Sequence, residues 1–291
     1  MSLSSGQAVA AALKARGHVV YESDIGPDDL AVLDRIHVDV VFPVLHGTFG
    51  EDGQLQAILE ERGLRYVGSN AASSRLAMDK WLSKQAVEGA GVLTAEGVLL
   101  EAGKGAGTNE IERAIGRVGI PCVAKPNCQG SSIGVVIGRT KLEAWEGIER
   151  SLEDYGDCLV EKFIAGRELT VGILGDKTLP ILEIKPAEGF YDYQAKYVSD
   201  NTEYSFETGL SPELTKQIQD QARRAFEALG CRDLGRVDFI LDGQGRSYFL
   251  EVNTLPGFTS HSLVPKAAAR IGVSFEEMCE EIVRMSLARP I

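Results

Sequence analysis

The chain has 291 residues, of which 44% are hydrophobic and 25% charged, and its formal net charge is −12. That length buries a substantial core in two or three subdomains, and the composition excludes a disordered chain. The acid excess disfavours nonspecific binding to nucleic acid or an anionic membrane, so a phosphate ligand must meet a local basic pocket.

No apolar run approaches the roughly 20 residues that cross a bilayer. The amino end shows neither the basic leader nor the cleavage site of a signal peptide. Five cysteines with no CxxC spacing fit a reducing cytoplasm better than a disulfide frame or a zinc site.

Ser4–Arg16 is an Ala-rich helical run that stops at Gly17. His18–Glu22 and Tyr66–Val67 have short-strand character. Asp39–Leu45 is the continuous apolar run of a strand covered on both faces in a parallel sheet. The glycine loop His46–Gly53 leads into a helix over Gln54–Arg62, and a further helical stretch runs from Ala71 through Asp79 to Gly89. Strand, glycine loop and helix in alternation predict a doubly wound α/β lobe. The chain opens on a helix, so the first strand of that lobe is missing from the pattern.

The remainder reads as α+β. Gly103–Thr108 is flexible by composition. Cys122–Lys125 and Ile133–Ile137 are strands around the loop Pro126–Ser132, and Lys141–Tyr155 is a helix with an acidic outer face. Cys158–Phe163, Glu168–Leu174 and Leu179–Lys185 are further strands. Phe190–Thr208 is polar, tyrosine-rich and aperiodic, and loops of that length are usually functional. Pro212–Leu229 is an amphipathic helix, and helices over Leu263–Leu287 close the chain.

Between them lies a stretch with the residue types of a site. Arg236–Leu241 and Ser247–Asn253 flank Asp242-Gly243-Gln244-Gly245, the pattern of a β-hairpin. Pairing Leu241 with Arg246 sets Arg236 opposite Glu251. Strand alternation then puts Arg236, Asp238, Glu251 and Asn253 on one face and Val237, Phe239, Leu241, Leu250 and Val252 on the other. Two carboxylates and an amide suit a hard cation such as Mg²⁺, which keeps few protein ligands and fills its shell with phosphate oxygens. A solvated hairpin with an ordinary ion pair fits the same spacing. The following loop, Thr254–Ser262, adds Gly257, whose backbone can approach a ligand, and several hydroxyls.

Other candidates sit upstream. In Val123–Val135, a lysine at a strand end precedes Gly130, Ser131 and Ser132, whose N–H groups and hydroxyls can wrap an anion. A surface turn with a solvated lysine is the alternative, and the spacing is not that of a Walker loop. Glu161, Lys162 and Glu168 flank the next strand pair, Lys196 and Tyr197 lie in the long polar segment, and His46 and Glu51 follow a buried strand where α/β ligands bind. Each of these also has an ordinary solvent-exposed or structural reading.

In chain order, HGTFGEDGQLQ (46–56), AMDK (77–80), KPNCQGSSIGV (125–135), EKFIAGRELT (161–170), FYDYQAKYVSD (190–200) and GRVDFILDGQGRSYFLEVNTLPGFTSHSLVP (235–265) together resemble one family. It is the D-alanine–D-alanine ligases of the ATP-grasp superfamily. The resemblance implies an ATP-grasp fold with an N-terminal lobe over 1–78, a central subdomain over 79–167 and a C-terminal subdomain over 168–291.

It also implies roles. Lys80 and Lys125 hold the ATP phosphates beneath Ser131 and Ser132. Glu161, Lys162 and Phe163 line the adenine pocket, Glu168 takes the ribose hydroxyls and Lys196 reaches the γ-phosphate. Asp238, Glu251 and Asn253 bind two Mg²⁺ ions, with Mn²⁺ as a substitute. Arg236 and the Gly257 N–H stabilise the oxyanion, with Ser131 and Tyr197 beside them at the catalytic centre. His46, Tyr197, Ser262 and the Leu263 N–H bind D-alanine. A cytoplasmic homodimer serving peptidoglycan synthesis, with no nucleic-acid or membrane partner, goes with these roles.

Two departures accompany the resemblance. Met1–Gly6 matches the family just after its first strand and a loop whose glutamate binds the ammonium of the first D-alanine, and no residue here supplies that glutamate. Gln129 stands where many members carry glutamate. A pseudoenzyme or truncated inactive form that binds nucleotide without ligation, or another ATP-grasp carboxylate–amine ligase such as a D-alanine–D-lactate ligase, is the competing expectation.

Overall fold

Two antiparallel sheets carry the fold in the computed structural model, which describes residues 2–35, 37–104, 106–185 and 202–290. The first sheet has strand order β1-β4-β2-β3, with β1 Gly97–Leu100, β2 Cys122–Pro126, β3 Val136–Gly138 and β4 Cys158–Lys162. Alternation sorts its side chains. Cys122, Ala124, Cys158 and Val160 face a core shared with helices α5 (Thr108–Val118) and α6 (Lys141–Tyr155). Val123, Lys125 and Glu161 take the opposite face. Helix α6 starts sharply because Thr140 and Glu143 form a reciprocal capping box. The strand expected over Ile133–Ile137 begins three residues later, because Ser131 to Gly134 still belong to the turn.

The second sheet runs β10-β9-β5-β7-β8, with the two-residue β6 (Lys177–Thr178) beside the end of β5 (Gly166–Leu174). Its other members are β7 Leu182–Lys185, β8 Glu203–Ser205, β9 Leu234–Asp242 and β10 Ser247–Asn253. One face packs Leu169, Val171, Val237, Phe239, Phe249 and Val252 against α7 (Pro212–Ala228) and α4 (Lys80–Gly89). Helix α7 opens on Ser211, which caps Leu214 N–H, with Pro212 in the first turn. The end of β5 joins a second core with α1 (Ser2–Ala15), α8 (Leu263–Arg270) and α9 (Phe275–Ala288).

The hairpin register differs from the expected one. Ser247 pairs with Leu241 and Phe249 with Phe239, then a bulge at Leu250 intervenes before Glu251 pairs with Asp238 and Asn253 with Arg236. Arg236 therefore stands opposite Asn253, not Glu251. Phe249 and Val252 both enter the core, and their odd spacing cannot be met by strict alternation. The extra residue resolves the conflict. It turns Glu251 onto the face of Asp238 and brings Leu250 there too, where the sequence placed Leu250 on the core side.

The N-terminal lobe departs further. His18–Glu22 forms no strand, and Val19 is 84% exposed and Tyr21 65%, so no burial holds it extended. Asp39–Leu45 makes only one parallel bridge among the described residues, Val41 to Tyr66, through Val41 N to Arg65 O at 2.8 Å and Val67 N to Val41 O at 3.0 Å. A ladder needs a neighbour along its length, and among the described residues its bridge partner comes from 65 to 67 alone. Helices α2 (Gln54–Glu61) and α3 (Ala71–Met78) follow as expected. The run from Ala71 to Gly89 is two helices, because Asp79 is extended and caps α4 by accepting from Leu82 N–H at 2.9 Å. Among the described residues no helix is long and apolar enough to cross a membrane.

Candidate nucleotide and metal site

A cavity of about 430 Å³ opens between the inner faces of the two sheets. Val123, Lys125 and Glu161 line it from the first sheet, and Glu168, Ile184, Asp238, Ile240 and Glu251 from the second. Lys162, Phe163 and Ser132 also line it, with Lys80 at its edge. Nine of the expected site residues thus meet at one cavity.

Helix α4 supplies the first cation. Its start is pinned to the strand-end loop, where Lys80 N–H donates to Asn127 O at 3.1 Å and Trp81 N–H to Asn127 Oδ1 at 2.9 Å. Lys80 is buried, and its ammonium donates to Gln129 O at 2.5 Å and lies 3.6 Å from Glu251. Burial pushes its pKa down, and Glu251 opposes that shift.

Lys125 leaves β2 beside Glu161, and both are buried. The other oxygen of Glu161 meets Lys84, one turn after Lys80 on α4. Burial pushes the Glu161 carboxyl up, but Lys125 and Lys84 together outweigh it and hold it below the usual range. Burial lowers the Lys84 ammonium against the pull of Glu161. The sequence reading gave Lys84 no role. Its spacing of four from Lys80 was the available signal.

The serine loop is conformationally unusual. Ser131 and Ser132 have φ of 55° and 57°, in the left-handed region that non-glycine residues rarely enter. Two such residues in succession turn the chain tightly at the cavity edge. The loop His46–Gly53 comes close to the serine loop, since a Cβ on Gly130 would lie 4.0 Å from Glu51 Oε2. His46 Nδ1 lies 3.6 Å from Glu51, whose carboxylate accepts from Gly47 N–H at 2.7 Å.

On the second sheet, Asp238 is a shared acceptor. Arg236 donates to it through Nε at 3.0 Å and Nη2 at 2.7 Å, Thr170 through its hydroxyl at 2.6 Å, and Asn253 through Nδ2 at 3.2 Å. Asp238 is 3% exposed. The sequence reading did not single out Thr170. Glu251 is the cross-strand neighbour of Asp238. Two carboxylates and one amide on one sheet face are hard oxygen donors, so this set fits Mg²⁺. The described residues hold no cluster of three or more His, Cys, Asp or Glu around one point.

Gly257, Ser262 and Leu263 neighbour one another in the loop that leads into α8. Gly257 lies so close to Ser262 that a Cβ there would sit 2.9 Å from its hydroxyl. Ser262 Oγ accepts from Thr259 N–H at 3.0 Å, and Leu263 is the first residue of α8. Arg167, on the lip of the cavity, makes two bonds of 2.8 and 2.7 Å to Glu183 and holds its carboxyl below the usual range. Lys196 and Tyr197 lie outside the described residues.

Comparison with known proteins places this arrangement. The family description "D-ala D-ala ligase C-terminus" matches residues 87–284, and "D-ala D-ala ligase N-terminus" matches residues 25–69. A D-alanine–D-alanine ligase of Halalkalibacterium halodurans is 42% identical over 295 aligned positions, covering 99% of this chain and 95% of that protein. A Bacillus anthracis D-alanine–D-alanine ligase solved in complex with ATP superposes with a TM-score of 0.85 at 32% identity, covering 98% of this chain and 91% of that one. The VanG D-Ala:D-Ser ligase of Enterococcus faecalis gives 0.78 at 36% identity over 86% of this chain and 74% of its own. Sequence and fold agree across nearly the whole length, and this chain belongs to the D-alanine–D-alanine ligase family.

Proposed function

We propose that the protein joins two D-alanines into D-alanyl-D-alanine at the expense of ATP, as a step in making peptidoglycan precursors. Family membership supports this, and so does the one cavity that sets buried lysines across from paired carboxylates. The pseudoenzyme alternative is not favoured.

The chemistry follows from what a carboxylate cannot do unaided. It is a poor acylating agent, so the carboxylate of the first D-alanine attacks the γ-phosphorus, and its oxygen–phosphorus bond forms as ADP leaves. The amine of the second D-alanine then attacks the acyl phosphate carbon. The tetrahedral intermediate collapses to the peptide, with loss of a proton from nitrogen and departure of phosphate. Lys80 and Lys125 bind phosphate oxygens, with the Ser131–Ser132 turn closing around them. Glu161, Lys162 and Phe163 receive the base, and Glu168 receives the ribose. Asp238, Glu251 and Asn253 would hold two Mg²⁺ ions, which when bound offset charge on the phosphate oxygens.

Arg236 and the Gly257 N–H receive the oxyanion, and a preorganised donor there is worth about 3 kcal/mol. The first turn of α8, with Ser262 and Leu263 N–H, presents donors to the second carboxylate. His46 lies on the first D-alanine's side. Lys196, for the γ-phosphate, and Tyr197, for D-alanine, complete the set of roles. Residues 1–78, 79–167 and 168–291 serve as the substrate lobe, the central subdomain and the C-terminal subdomain. The protein works as a cytoplasmic homodimer.

The test is ADP release. ATP, Mg²⁺ and D-alanine should give D-alanine-dependent ADP and a dipeptide identified by mass, with D-serine and D-lactate as competing acceptors. ATP binding with no D-alanine-dependent ADP would overturn the ligase reading.

A further inference from the structure

Helix α4 brings Lys80 to the nucleotide cavity and holds Lys84 one turn behind it, and only Lys80 has been given work there. Lys84 is 4% exposed and Glu161 3% exposed. Lys84 Nζ meets Glu161 Oε1, and Lys125 Nζ meets Glu161 Oε2. The three groups carry two positive charges and one negative.

An ion pair of Lys125 with Glu161 would already compensate both partners. A third buried charge costs desolvation and is kept out of ordinary cores. Lys84 itself does not line the cavity, whereas Glu161 and Lys125 do. Its effect therefore passes through Glu161. With both oxygens engaged by different cations, Glu161 cannot concentrate its charge on Lys125, and the triad presents one net positive charge to the cavity.

We propose that Lys84 is a positioning residue for the nucleotide: it holds one oxygen of Glu161 so that Lys125 keeps an uncompensated charge for the phosphates. This rests on the reading of the cavity as the ATP site. The contribution depends on phosphate, so a ligand with the same base and ribose but no phosphate is blind to it.

The experiment compares affinities of the full chain for ATP and for adenosine by titration calorimetry. Lys84→Met removes the charge at similar length. It should lower the ATP-to-adenosine affinity ratio roughly tenfold, equivalent to about 1.4 kcal/mol, because any shift of Glu161 against the base is common to both ligands. Lys84→Arg should restore ATP affinity. Lys84→Met combined with Glu161→Gln, which returns the net charge to one, should recover the ATP-to-adenosine ratio. A merely structural role would weaken both ligands together.

An unchanged ratio in Lys84→Met, in a wild type that binds ATP, overturns the role of Lys84 alone. A wild type that binds no ATP overturns the nucleotide reading and this inference with it. Should Lys84→Met not fold, Glu161→Gln decides: leaving both lysines uncompensated should raise the ratio above wild type, and a ratio at or below it overturns the proposal.

Discussion

Arg236→Ala separates the two things that this arginine does. In the folded protein it grips Asp238 through Nε and Nη2, and Asp238 is 3% exposed. Removing one partner of a buried ion pair costs about 3 to 5 kcal/mol. Thr170 and Asn253 continue to donate to Asp238, so the cost should fall near the lower end. About 3 kcal/mol corresponds to a fall in melting temperature of about 6 to 12 °C for a chain of this size. Loss of an oxyanion donor costs a further ~10²-fold in turnover. Turnover is read as D-alanine-dependent ADP release, affinity as ATP titration below the melting temperature, and stability by thermal unfolding. A variant that loses ATP affinity while keeping turnover at saturation would show that Arg236 serves the nucleotide and not the oxyanion. An unshifted melting temperature would show that the Asp238 pair is not holding the sheet face.

Glu251→Gln should reduce ADP release by at least ~10²-fold, given the several kcal/mol of charge stabilisation expected of a metal site, with the fold retained. Near-normal turnover would remove the hairpin from the metal site. Glu183 gives a pH signature. Arg167 holds its folded carboxyl below the ordinary value of 4.5, so its stabilisation is complete above that value and is lost as pH falls through the folded value. Glu183→Gln should accordingly lower the melting temperature at about pH 7, and the gap from wild type should close at about pH 3; a gap that widened in acid would refute the pairing. Gly138→Ala should destabilise the first sheet by about 1 to 3 kcal/mol in chemical denaturation, because a Cβ there would lie 2.5 Å from Ala144 Cα in α6.

Much of this was legible because local rules and tertiary demands agreed. Ser211-Pro212 announces α7, and Val123 and Lys125 alternate with Cys122 and Ala124 as a strand with one apolar and one polar face should. The acidic hairpin was visible from its turn and its oxygens. Its pairing was not, because two core residues three apart compete with alternation and the bulge settles the conflict in three dimensions. Lys84 was missed for a related reason. On α4 it reads as a solvated lysine, and only the strand carrying Glu161 shows that it is buried. Asp39–Leu45 has the composition of a sheet strand but lacks a neighbour along its length among the described residues. β1 passed unnoticed because a four-residue run carries too little periodicity to register.

The extra residue at Leu250 also decides where the ribbon can change length. Deleting Leu250 would leave Phe249 against Phe239 and bring Glu251 next in line against Asp238 with no change of side for either. Loss of Phe249 instead would set Leu250 against Phe239 and take a fully buried ring out of the oily layer. Loss of Glu251 would set Leu250 against Asp238 and remove a candidate metal ligand, and loss of Val252 would set Asn253 against Val237. One position is thus a free joint, and a scan of single-codon deletions along 247–253 should recover protein that is both folded and able to release ADP there and nowhere else.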